Sequence, residues 1–97
     1  MNAVAAPLEL ALAGELTIYS ANDLRNLLVT ALDQARDVRI DLGEVSDIDT
    51  AGLQLLLVAR RELAQQGHRL LLQGHHSHLT DLLTLYQLLP DTPPHEP

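Results

Sequence analysis

The sequence predicts an α/β domain: a mixed sheet of about four strands with three helices packed on it, in the order β-β-α-β-α-β-α. Three observations predict it. Apolar residues recur at every second position in short runs, as in Leu8, Leu10 and Leu12 and again in Val38, Ile40 and Leu42, which is the strand pattern. Between them lie stretches with apolar residues at helical spacing. Most junctions carry a Gly, a Pro or a candidate helix cap.

Residues 1–6, MNAVAA, carry no pattern and read as a loose arm ahead of a domain over 7–90. Leu8, Leu10 and Leu12 form the first strand, with Glu9 and Ala11 on its other face. Gly14 and Glu15 read as a turn, and Leu16 and Ile18 as a second strand pairing back in a hairpin. Ser20 is placed to cap the first helix, with Asp23 three residues on. Leu24, Leu27, Leu28, Ala31, Leu32 and Ala35 give it an apolar stripe, about four turns long. Val38, Ile40 and Leu42 form the third strand, and Gly43 to Ile48 a connecting loop. The second helix starts near Asp49-Thr50-Ala51-Gly52, runs to about Gln66 and stops at Gly67. Arg69 to Gln73 is a short strand, and its consecutive Leu70, Leu71 and Leu72 suit a strand covered on both faces. Ser77 is the candidate cap of a third helix ending near Leu89 before Pro90, and residues 91–97 read as a flexible tail. Both β-α-β crossings are expected to be right-handed.

The composition excludes several functions. The 97 residues hold no Cys, so thiol chemistry and disulfides are out. All six cations are Arg, against 13 Asp and Glu, for a net charge of −7. With aromatics at 2%, this is a poor nucleic-acid binder, which needs cationic groups for phosphates and rings for bases. The charge itself serves solubility and steers the chain toward a basic surface. No apolar run approaches a membrane span, and MNAVAAPLEL lacks the basic start of a secretory signal. A cytoplasmic domain is expected.

The second helix is the informative one. At about 100° per residue, Leu53, Leu55, Leu56, Ala59 and Leu63 share the face toward the sheet, and Thr50, Gln54, Leu57, Val58 and Arg61 lie roughly opposite. A purely solvated face has no need of Leu57 and Val58. Either they tuck under a neighbouring element, or the face is a docking surface. Asp49 is placed to cap this helix and Gly52 permits close backbone approach. A phosphoryl group on Thr50 would sit well on the helix dipole and would disturb a docked partner.

The stretch from Val38 to Leu57, VRIDLGEVSDIDTAGLQLLL, resembles the core of STAS domains, whose DL-x-x-V-x-x-(I/L)-D-(S/T)-(A/S)-G motif links a central strand to the helix carrying the regulatory loop. Gly14-Glu15-Leu16 resembles the usual opening turn of the family and Leu72-Gln73-Gly74 the end of a later strand; the likeness covers about residues 7–90. It implies a noncatalytic switch or adaptor that binds a protein: a signalling kinase such as a chemotaxis-type kinase, an anti-sigma factor, or the ATPase of a phospholipid-trafficking transporter. The partner-binding residues it implies, with the helix face above, are Asp47, Asp49, Thr50, Gln54, Leu57, Val58 and Arg61. The family's anti-sigma antagonists are phosphorylated on the hydroxyl residue just before the motif Gly. Ala51 stands there in this chain, so that switch is closed and Thr50 is the candidate hydroxyl.

Other chemistry finds little support. His75, His76 and His78, with Asp81 near, are too close along one segment to converge easily on a metal, and read as solvated loop histidines. Ser46, Thr50 and Ser77 lack the setting of a nucleophile elbow, and no glycine-rich phosphate loop or Lys is present. No cofactor, metal or catalytic residue is expected.

Overall fold

The computed structural model describes residues 6–88. The elements are β1 (Leu8–Leu16), α1 (Ala21–Leu32), β2 (Val38–Ile48), α2 (Thr50–Gln65), β3 (Leu70–Gln73) and α3 (Ser77–Leu85). The α/β class and the three helices match the sequence reading. The sheet does not match in detail. Among the described residues it has three strands, all parallel, in the order β1-β2-β3, in place of about four in a mixed sheet.

The missing hairpin and the missing loop have one cause. Register shifts fall between Ala11 and Ala13 and between Gly14 and Glu15 of β1, because β2 carries an extra residue opposite each. On β2 the buried residues therefore run Val38, Ile40, Leu42 and then Val45 and Ile48, a change of spacing from two to three. Each bulge absorbs one residue without ending the strand. Gly14, at φ +78°, thus lies inside one long strand, opposite the second bulge of β2, and is not a hairpin turn; glycine takes that backbone conformation without steric cost. Gly43 to Ile48 is strand and not loop.

Helix ends also differ. α1 stops at Leu32, about three turns long and not four, and Ala35 lies beyond it at φ +55°. The Ser20 hydroxyl does not cap α1, since it accepts from Thr17 N at 3.0 Å and donates to the Glu15 carbonyl at 2.8 Å. Ser77 opens α3, but His76 holds the cap position and neither caps with its side chain. α3 ends at Leu85 and not near Leu89. Leu89, the tail and all of the arm but Ala6 lie outside the described residues. The end of α2 follows the sequence reading, with Gly67 at φ +82° just past Gln66.

The core lies between the sheet and the helices. Leu24, Leu28 and Ala31 of α1, Leu53, Leu56, Ala59 and Leu63 of α2, and Leu79 and Leu83 of α3 are buried with Val38, Ile40, Leu42, Leu70 and Leu72 of the sheet. Burying each such side chain contributes roughly 1.5–3 kcal/mol. The other sheet face carries Glu9, Arg39, Asp41 and Gln73, and Arg39 Nη1 pairs with Glu9 Oε2 across it at 2.8 Å. Leu71 on this face is only half-buried, so β3 is covered on one face and not on both.

Candidate protein-docking site

The corner where β1 and β2 end and α1 and α2 begin is built around one carboxylate. Leu16 and Ile48 are the last paired residues of β1 and β2, which brings Asp49 beside the β1–α1 loop. Asp49 N donates to the Leu16 carbonyl at 3.0 Å. The Asp49 side chain then accepts twice. Oδ1 takes Gly52 N at 3.2 Å, capping α2, and Oδ2 takes Ile18 N at 3.1 Å. The second bond ties a loop 31 residues away in sequence to the start of α2.

Gly52 makes this closeness possible. A Cβ there would stand 2.5 Å from the Leu16 carbonyl oxygen and 2.8 Å from Ile48 Cγ1. The backbone of α2 therefore packs directly on the end of β1.

The loop between β1 and α1 is fully engaged. Thr17 N donates to Ser20 Oγ, Ile18 N to Asp49, Tyr19 N to Thr17 Oγ1 at 3.2 Å, and Ser20 N to the Thr17 carbonyl at 3.0 Å. With every N–H from 17 to 20 satisfied, the loop is held in one shape while its apolar side chains point out. Ile18 is 67% exposed and Tyr19 96% exposed. Two large apolar groups on a fixed loop resemble a preformed interface anchor.

Beside the loop an open groove of about 520 Å³ runs between α1 and α2. Ile18, Ala21, Asn22 and Arg25 form one wall and Ala51, Gln54, Leu55 and Val58 the other. Of the residues singled out from the sequence, Gln54 and Val58 line this groove, Asp49 is engaged with Ile18 N and Gly52 N at its corner, and Thr50 is exposed as the first residue of α2. Val58 is 47% exposed. Leu57 is half-buried against the core, so tucking under describes it better than Val58. Arg61 is exposed and lines no part of the groove. Asp47 also stands apart: its Oδ1 accepts from Ile48 N at 2.8 Å and lies 3.5 Å from His78 Nε2.

Ile18, Tyr19, Asn22 and Arg25 were not singled out from the sequence. Leu16 and Ile18 read in the sequence as a strand, whereas β1 ends at Leu16 and Ile18 stands on the loop after it. The available signal was one of only two Tyr in the chain, next to an Ile, just before a helix.

The histidines form no metal cluster among the described residues. His75 Nδ1 and Thr80 Oγ1 are 2.7 Å apart, and the rings of His76 and His78 stack with centroids at 6.2 Å. These contacts fasten the start of α3.

The comparisons with known proteins agree with this architecture. A family model described as "Mlab, STAS domain" matches residues 2–89. The chain belongs to the STAS domain family. The anti-sigma-B factor antagonist of Bacillus subtilis (strain 168) is 38% identical over 63 residues, which is 65% of this chain and 58% of that protein. This STAS chain thus aligns with less than two thirds of that relative's length. The fold is shared with SpoIIAA, an anti-sigma factor antagonist, in its unphosphorylated form: TM-score 0.67, 20% identity, 86% of this chain and 79% of that one. The phosphorylated form of SpoIIAA from Bacillus aligns with a TM-score of 0.69 at 21% identity, over 92% and 84% of the two chains. A sulfate transporter family protein from Wolinella succinogenes aligns with a TM-score of 0.72 at 20% identity, over 91% and 73%. No helix among the described residues is long and apolar enough to cross a membrane.

Proposed function

We propose that this STAS domain is a noncatalytic, cytoplasmic regulatory module of the anti-sigma factor antagonist type, which binds a protein partner reversibly at the Asp49 corner. One observation carries the reading: Ile18 and Tyr19 stand exposed on a loop whose every N–H is bonded, next to the exposed Val58 of α2. Exposed apolar side chains on a rigid support mark a place where another surface comes to rest. Asp49 holds the corner in shape, Thr50 and Gln54 give polar contacts, and Arg61 a charged contact at the far end of α2. Asp47 and Leu57 lie at the margin of the surface, Asp47 beside His78 and Leu57 packed on the core. The 38% identity to an anti-sigma-B factor antagonist supports a signalling partner such as an anti-sigma kinase.

The contact has few aromatic anchors, so it is of moderate strength and exchangeable. Thr50 is the switch. Its hydroxyl is exposed at the first position of α2, where a phosphate would meet the positive end of the helix dipole and add roughly −1.5 to −2 charges to the docking face. Mass spectrometry after incubation with a cognate kinase should find phosphate on Thr50; none with any cognate kinase would remove the switch.

The reading is tested by capture from native cell extract on the wild-type domain and on Tyr19→Ala. A protein kinase held by the first and lost by the second is the expected result. A partner held equally by both would overturn the site, and an ABC-type ATPase in its place would move the module from signalling to transport.

A further inference from the structure

The groove between α1 and α2 carries no acidic side chain on its walls. The chain carries 13 carboxylates and six Arg, yet none of the eight residues lining the groove is acidic and one of them is Arg25. Arg25 is exposed, and among the described residues no acceptor takes its guanidinium. Arg39, by contrast, is paired with Glu9, and Arg60 donates to the Gln87 carbonyl. Arg25 also has apolar groups beside it. Ile18 and Val58 line the groove with it, and the exposed Val29 lies one helical turn further along α1.

We infer that this groove receives an amphipathic helix of the partner protein, and that an Asp or Glu on the apolar face of that helix pairs with Arg25. The proposal rests on the docking function above and names the chemistry of its partner. Charge complementarity selects a carboxylate, because an unpaired guanidinium beside apolar surface forms its best contact bidentately with one. The walls select a helix. Both are helices, bonded internally beyond their first turns, so the groove holds no open strand edge to extend, and recognition along it uses side chains. The α2 wall from Ala51 to Val58 is about 10 Å long at 1.5 Å per residue, enough for two turns of a bound helix. Its apolar side chains would rest on Ala21, Ala51 and Leu55, with the acid beside Arg25.

The test uses a phage-displayed library of helical peptides panned on the full chain, with affinities read by fluorescence polarisation and footprints by NMR. Enriched peptides should carry one Asp or Glu among apolar residues at i, i+3 and i+4 and should shift the amides of Ile18, Arg25 and Val58. Arg25→Ala should weaken them about tenfold. Arg25→Glu should weaken them further, and a Lys in place of the peptide's acid should restore binding to Arg25→Glu alone. Peptides that footprint on Ile18, Tyr19 and Val58 but are indifferent to both Arg25 variants would overturn this inference and leave the docking function standing. Peptides that bind only elsewhere, or none at all, would overturn both. Concentration-dependent shifts of the same amides in the chain alone would assign the groove to a second copy of this chain and overturn the partner helix.

Discussion

Replacing Asp49 by Ala removes two bonds with one change, and the loss can be worked from the structure. The bond to Gly52 N is a helix cap, and losing such a cap costs about 1 kcal/mol. The bond to Ile18 N joins two segments far apart in sequence; at the protein surface a bond of this kind contributes roughly 0.5–1.5 kcal/mol. The sum is about 1.5–2.5 kcal/mol, a substantial share of the stability of a small domain. Asp49→Asn separates the two contributions. Asn caps as well as Asp but offers a single carbonyl oxygen, so it keeps Gly52 N, releases Ile18 N and loses about half as much. Urea denaturation followed by far-UV circular dichroism measures both variants, since the chain has no Trp to report. Hydrogen exchange should quicken at Ile18 and Tyr19 in Asp49→Asn while the first turn of α2 stays protected. An Asp49→Ala variant within about 0.5 kcal/mol of wild type, with unchanged exchange in the loop, would refute the carboxylate's role as the joint between loop and helix.

Other perturbations read the same corner. Gly52→Ala drives a methyl group into the Leu16 carbonyl and Ile48, which the backbone must move to accept; a loss of about 1–3 kcal/mol is expected in the same denaturation assay. Tyr19→Ala should leave stability within about 0.5 kcal/mol, because the ring is 96% exposed, while weakening partner binding at least tenfold in surface plasmon resonance. Thr50→Glu should keep or slightly raise the melting temperature, a carboxylate in the first turn of a helix being favourable, and should weaken the partner in the same binding assay. Tight binding by a folded Thr50→Glu variant would remove Thr50 from the interface.

The helices were legible in the sequence because their cues are local. Asp49 as the cap of α2, Gly67 as its stop and the buried stripe from Leu53 to Leu63 all depend on residues within a few positions of each other. The sheet was less legible because its cues depend on a partner strand. A bulge looks like a broken alternation until the facing strand is known, and so Gly43 to Ile48 read as loop and Gly14 as a turn. That error carried into the site. With Leu16 and Ile18 read as a strand, Ile18 becomes a sheet residue and Ser20 a free cap. Asp49 was recognised as a cap, but its second bond crosses 31 residues of sequence and leaves no periodic trace. Gln54 and Val58 were found by helical spacing. Arg25 on the facing helix was passed over, because only the packing of α1 against α2 makes it part of the same surface.

The proposed docking surface is the β1–α1 loop with the facing walls of α1 and α2. Its most direct test is hydrogen–deuterium exchange of the domain, free and bound to the partner captured from native extract. Protection is predicted in peptides spanning residues 17–25 and 50–61 and not over β3 and α3. Protection confined to residues 70–85, with the loop and the start of α2 unchanged, would contradict the account.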